Sequence, residues 1–284
     1  TAYAARAQGD TPQWEPLPVQ FADFAIWEHQ VLGSADDPSS VVGRQLGYWR
    51  RQLAGLPDVL ELPTDRPRPR IASHRGARLG FDIPKELGTG IDALARSAGT
   101  TPFMVVHAAF AALLSRLSTT DDIAVATPIA GRGDRALDPL IGMFVNTLVL
   151  RTEISPWESF ATLLDKVRTA DLDAFAHADI PFESLVEALD PVRSEAFSPL
   201  AQVMLSFDPA ASIGGADIAA GELRVEPVPA PVVPAQLDLS LVVSSGGRGG
   251  NWSGALTYAT DLYDEATIAQ LAQRFVRVLS DYVA

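Results

Sequence analysis

Apolar positions recur every three to four residues in some stretches and alternate in others, so the sequence predicts a chain of mixed helices and strands. FADFAIWEHQVL sets Phe21, Phe24, Ala25 and Trp27/Glu28 at helical spacing, with Gly33 as a stop. A second helix, about Ser40 to Leu53, carries Val42, Leu46, Trp49 and Leu53 on one stripe. The opening TAYAARAQ reads as the tail of a helix, since nothing before Thr1 caps it. Pro84 opens a helix ending near Gly99. Thr101 then caps another, with Pro102 at its first position and Phe103, Val106, Phe110, Leu113 and Leu117 turned inward. Ser155-Pro156-Trp157-Glu158 has the form of a capping box and predicts a helix with Phe160, Leu163, Leu164 and Val167 inside. A short helix from Phe182 to Leu189 and a long one from about Asp264 to Tyr282 complete the set.

Strands are expected at RGARLGFDI, DIAVATPIAG, MFVNTLVLR, AQVMLSF, ELRVEPV, LDLSLVV and WSGALTY. Helices and strands without strict βαβ alternation imply a layered α+β fold. LELPTDRPRPR, residues 60–70, holds three prolines and cannot form a helix interior, so it reads as a crossing between two lobes. The expected division is residues 1–70 and residues 71–284. PAASIGGADIAAG is expected to be a mobile loop.

Composition narrows the function. The chain has 284 residues, 47% hydrophobic, with 22 Lys+Arg against 35 Asp+Glu and a net charge of −13. That acidity argues against a nucleic-acid partner. With no cysteine there is no disulfide, thiol nucleophile or cysteine-ligated metal. No apolar run reaches the ~18–20 residues of a membrane span, and the start lacks a signal-peptide pattern, so a soluble, cytoplasmic protein without a membrane partner is expected.

Several familiar chemistries are missing. GRGDRA, residues 131–136, loosely fits a dinucleotide-binding pattern, but Pro139 falls where the phosphate-binding helix would run. There is no Walker lysine loop and no serine nucleophile elbow. His29, His74, His107 and His177 form no close pair, so no metal site is expected; His107, on an amphipathic helix, reads as packed or flanking.

Three segments in order carry a specific resemblance: FADFAIWEHQ (21–30), IGMFVNTLVLR (141–151) and HADIPFESLVEAL (177–189). RSEAFSPLAQVMLSF (193–207) is a degraded fourth, and LTYATDLYDEATI (256–268) a fifth. Together they resemble the core motifs of nonribosomal peptide synthetase condensation domains. The resemblance implies a two-lobe sandwich like chloramphenicol acetyltransferase, here a complete C-terminal lobe with a remnant of the N-terminal one. It implies a tunnel between the lobes. There, the amine of an acceptor aminoacyl thioester attacks the carbonyl of an acyl or peptidyl donor, forming an amide. The implied partners are donor and acceptor peptidyl carrier proteins, adjacent synthetase domains and the missing N-terminal lobe. No cofactor is bound directly; the carriers bring their phosphopantetheine arms.

The family's His-His-x-x-x-Asp-Gly signature is not in this sequence, which is expected to begin just after it. No catalytic residue is therefore assigned, and the chain alone is expected to be inactive, because base catalysis worth ~10²–10⁴-fold has no carrier. Two alternatives stand beside amide formation: a non-catalytic module that recruits a tailoring enzyme, and an epimerisation or cyclisation relative.

Asn146 shares a strand face with Phe144, Leu148 and Leu150, so its amide needs either a structural partner or a substrate. The resemblance favours the tunnel. Gly142 suggests close backbone approach, and Gln202 and Ser206 alternate with Val203, Leu205 and Phe207 on a face that can line a cavity. Arg50, Arg51, Arg66, Arg68, Arg70 and Arg75, with Arg78 and His74, stand out from the acidic background. They read either as a solvated, proline-stiffened connector or as a docking surface for an acidic carrier. The remaining motif residues read as structural. Asp23 and Trp27 anchor a lobe, His177 serves a helix C-terminus, Pro181 and Phe182 open the next helix, and Asp238 pairs with an arginine or a backbone amide.

Overall fold

The computed structural model describes residues 2–118, 120–208, 233–246 and 251–284. Its helices are α1 (Ala2–Ala7), α2 (Phe21–Leu32), α3 (Val41–Gln52), α4 (Lys85–Ser97), α5 (Pro102–Ser118), α6 (Phe160–Phe175), α7 (Phe182–Leu189) and α8 (Glu265–Val283). Its strands are β1 (Arg75–Ile83), β2 (Asp122–Ile129), β3 (Asn146–Glu153), β4 (Val203–Asp208), β5 (Val233–Pro234), β6 (Leu239–Ser244) and β7 (Trp252–Ala259). ELRVEPV and PAASIGGADIAAG lie outside the described residues.

The strands form one open sheet of order β3-β2-β4-β6-β7-β1-β5. Pairing is parallel for β2–β4 and β4–β6 and antiparallel elsewhere. Alternation decides its faces: in β6, Leu239, Leu241 and Val243 are buried while Ser240, Val242 and Ser244 are only half-buried. The buried face packs under the helix layer with Ile91 of α4, Phe110 of α5, Leu164 of α6 and Phe275 of α8. α5 is buried on nearly every side from Met104 to Ser115, which makes it the central helix of that layer. A second cluster joins Leu46, Trp49 and Leu53 to Leu185 of α7 and to Ala124 and Leu148 of the sheet. No single described helix is long and apolar enough to cross a membrane.

The proline-rich segment after α3 is laced to the sheet. Leu60 N–H donates to Gln202 Oε1 at 2.8 Å, and Asp65 N–H donates to the Leu262 carbonyl at 2.9 Å. The Asp65 carboxylate accepts from Asp264 N–H and Thr267 Oγ1, each at 2.8 Å, and so caps α8. α2 contrasts with it, having no buried residue.

Two local expectations shift. Ser155 does not cap α6: its N–H donates to Glu158 Oε1, but the backbone there closes a turn, and Ser159 Oγ accepts from Thr162 N–H as the cap. The third strand begins at Asn146 rather than Met143, because its partner β2 ends at Ile129 opposite Asn146.

Candidate functional site

The FVNT segment builds one wall of a cleft. Residues 141–145 approach β3 with alternate side chains turned out: Ile141 is 93%, Met143 78% and Val145 59% exposed, while Phe144 is buried. Gly142 lies against the Phe21 ring so closely that an added Cβ would stand 2.1 Å from it. Phe144 meets the rings of Phe21 and Phe24 at centroid distances of 5.1 and 4.9 Å, which is how α2 is held. The Arg132 guanidinium lies 4.3 Å from the Phe144 ring centroid and donates to the Leu140 carbonyl. The resulting cleft, of about 460 Å³, is lined among others by Phe24, Glu28, Arg132, Met143, Asn146 and Asp179.

Asn146 borders this cleft with its amide fully engaged. Nδ2 donates to the carbonyls of Ala178 and Ile180 at 3.0 and 2.7 Å, while Oδ1 accepts from Thr147 and Phe182 N–H at 2.8 and 3.0 Å. It thus ties the start of β3 to the turn before α7. Across the cleft, partial burial and then the nearby Asp179 carboxylate raise the Glu28 pKa. A raised folded-state value means that ionisation opposes folding, so the stability associated with this carboxyl is lost as pH rises. Glu28→Gln should therefore raise the melting point slightly at pH 7. The difference should vanish as pH falls below the ordinary glutamate value of ~4.3, which parallel melts across pH will show.

The structure distributes the other expected residues. Asp23 accepts from Gln20 N–H at 2.8 Å at the start of α2, and Trp27 is 57% exposed. His177 stacks on Tyr48, with ring centroids 3.9 Å apart. It bonds through Nδ1 to the Asp173 carbonyl, and its own carbonyl accepts from Trp49 Nε1. Pro181 and Phe182 open α7, Pro181 also bordering the cleft. Gln202, 3% exposed, is bonded at both amide atoms, and Ser206 is half-buried on the sheet face opposite Leu205. Neither lies with Asn146 in the cleft.

Of the arginines, Arg68 grips Asp238 in a two-pronged contact of 2.8 and 2.5 Å that raises its pKa. Arg66 is paired with Asp264, and Arg75 reaches Ser73. Arg50, Arg51, Arg70 and Arg78 are exposed. His29 is exposed on α2, and His74 is exposed with φ 55°.

One polar centre was not anticipated. His107, on α5, and Asp171, on α6, are both fully buried and meet at 3.0 Å, Nδ1 to Oδ1. Among the described residues, Nε2 of His107 and the buried Tyr48 hydroxyl have no hydrogen-bond partner. Burial, then Asp173 and Asp171, push the Tyr48 pKa up to about 12. The sequence holds a signal for Asp171: it lies four and seven residues after Val167 and Leu164, on their inward stripe. Among the described residues, no group of three or more His, Asp or Glu could hold a metal.

The condensation-domain family model matches residues 1–284, the whole length. This chain belongs to the condensation-domain family. It is 47% identical over 292 aligned residues to a probable non-canonical nonribosomal peptide synthetase, CymA, of Salinispora arenicola, covering 100% of this chain and 4% of that protein. It is 45% identical to a dimodular nonribosomal peptide synthase of Bacillus subtilis, covering 98% of this chain and 12% of that protein. The X-domain solved in complex with OxyB from teicoplanin biosynthesis superposes with a TM-score of 0.88 at 33% identity, over 99% of this chain and 62% of that one. The single open sheet with its helix layer is the fold of this family, and such domains work with carrier proteins in nonribosomal peptide synthesis.

Proposed function

We propose that this condensation domain takes part in joining a carrier-bound acyl or peptidyl donor to a carrier-bound aminoacyl acceptor through an amide bond. The match of the whole chain to the condensation family supports the reading, and the cleft beside the FVNT segment supplies a wall for the reacting chains. In that reaction the acceptor amine adds to the thioester carbonyl, the donor carrier's thiol leaves, and a base takes the amine proton. Asn146 contributes by fixing the cleft wall, since its amide is already bonded on all sides. The lobe division at residues 70/71 belongs to the same proposal, with the exposed α2 surface facing the N-terminal lobe. Carrier docking falls to Arg50, Arg51, Arg70 and Arg75; Arg66 and Arg68 are committed to Asp264 and Asp238.

Incubated alone with loaded donor and acceptor carriers, the chain should transfer nothing above the uncatalysed rate, as read by intact mass. Turnover by the isolated chain would overturn the reading that this chain carries no catalytic base of its own. A second reading, recruitment of a tailoring enzyme, is favoured by the likeness to an X-domain solved with OxyB. It predicts that the complete domain binds a tailoring enzyme and forms no amide.

A further inference from the structure

Helix α2 turns one stripe of side chains inward: Phe21, Phe24, Ala25, Glu28 and Leu32 are half-buried, while Ile26, Trp27 and Val31 are exposed. That spacing marks the inward side of a helix, and four of the five side chains are apolar. Glu28 is the fifth, a carboxylate where the period calls for hydrocarbon. It borders the FVNT cleft together with Asp179. Asp179 is pinned there by Gln45, a residue of α3 that is only 6% exposed. Gln45 Nε2 donates to Asp179 Oδ2 at 2.6 Å, and Asp179 N–H donates to Gln45 Oε1 at 3.1 Å.

Among the described residues, the Glu28 carboxylate makes no hydrogen bond or ion pair. Arg132, in the cleft wall, is spent on the Leu137 and Leu140 carbonyls and the Phe144 ring, and Arg44 of α3 on the Ser39 carbonyl. Glu183, also bordering the cleft, sits in the first turn of α7, where free N–H groups favour its charge. On α2 itself, Asp23 bonds to Gln20 N–H, and His29 is exposed. The charge that acts on Glu28 is that of Asp179, and it repels. What seats α2 lies at its other end, where Phe21 and Phe24 meet the Phe144 ring; no residue of the helix is fully buried. Gly33, with φ 75°, gives the chain a turning point just beyond Glu28.

We propose that α2 is a lid on the FVNT cleft, pivoting on the Phe21–Phe24–Phe144 cluster and opened by charge. With Glu28 and Asp179 both ionised, the second half of α2 stands off the cleft. With Glu28 protonated, its carboxyl donates to Asp179 and the lid seats. Burial, then Asp179, hold the Glu28 pKa above its ordinary value. The seated form is thus complete below the ordinary glutamate pKa of ~4.3 and is lost as pH rises through the raised value. The lid depends on the geometry of this chain and not on the reaction assigned to the cleft.

The chain has no cysteine, so spin labels attach only where cysteines are introduced. Gln30→Cys on α2 and Ser184→Cys on α7 are at exposed positions, and double electron–electron resonance between them reads the gap across the cleft. From pH 5 to pH 8 the labelled chain should shift to longer distances with a broader distribution. Adding Glu28→Gln should hold the short, narrow distribution at both pH values, because the glutamine amide donates to Asp179 without titrating. Adding Glu183→Gln instead should leave the response intact. No shift with Glu28 in place would overturn the lid, as would a shift that survives Glu28→Gln. A response lost as fully in Glu183→Gln would assign it to the overall charge of the cleft and overturn the role of the pair.

Discussion

Asp171→Val should cost the domain ~3–5 kcal/mol, while the double variant His107→Leu/Asp171→Val should recover most of that loss. Both side chains are wholly buried between α5 and α6, and among the described residues Asp171 is the only hydrogen-bond partner of His107, through Oδ2 at 3.2 Å. Removing the carboxylate leaves an imidazole with neither ring nitrogen bonded inside the buried helix layer. Removing both partners replaces a polar contact with apolar volume beside the Phe103 ring, 5.9 Å from His107 between centroids, which is often neutral or stabilising. At ~2–4 °C per kcal/mol for a domain of this size, the single variant should melt on the order of 10 °C lower. A double-mutant cycle in urea measures the coupling directly. Equal destabilisation by the single and the double changes would show that packing volume alone governs this contact.

This pair shows what could be read from the sequence and what could not. Helices α3 and α7 were legible because their apolar stripes are regular and each ends against a clear stop or proline. The Arg68–Asp238 contact was half legible. Asp238 among apolar neighbours demanded a partner, but the arginine that answers lies 170 residues away. The cap of α6 was misplaced because Ser155 and Ser159 satisfy the same local rule. Glu158 bonds back to Ser155 as the rule requires, yet the chain turns there and only begins its helix after Ser159. The start of β3 was misjudged because alternation continues through Phe144. What ends the strand pairing is the chain leaving β2 at Gly131, whose φ is 61° and whose added Cβ would stand 1.8 Å from the Phe144 carbonyl. Periodicity reports which face a residue takes. It does not report which atoms meet it there: Gln202, read as a cavity-lining residue, does border a cavity with Leu60 and Leu200, and its amide also clamps the segment above.

Asn146 carries the same ambiguity and permits a sharper test. Its two amide hydrogens are committed to the Ala178 and Ile180 carbonyls and its oxygen to Thr147 and Phe182 N–H. Asn146→Ala strips all four groups of a partner, and a single buried group left unsatisfied costs ~1–3 kcal/mol, so the melting point should fall by several degrees. Asn146→Asp keeps the shape and the acceptor but turns an oxygen towards two carbonyl oxygens, beside the Asp179 carboxylate that also borders the cleft. The aspartate should therefore destabilise at least as much as alanine near neutral pH, despite being nearly isosteric with asparagine. A residue whose amide served only a substrate in a hydrated tunnel would behave differently. Both variants would then melt close to the native chain, and only condensation by the complete domain would slow. Thermal melts of the three proteins at neutral pH decide the matter. An aspartate variant as stable as the native chain would show that the hydrogen bonds to the turn before α7 contribute little, and would return Asn146 to the tunnel.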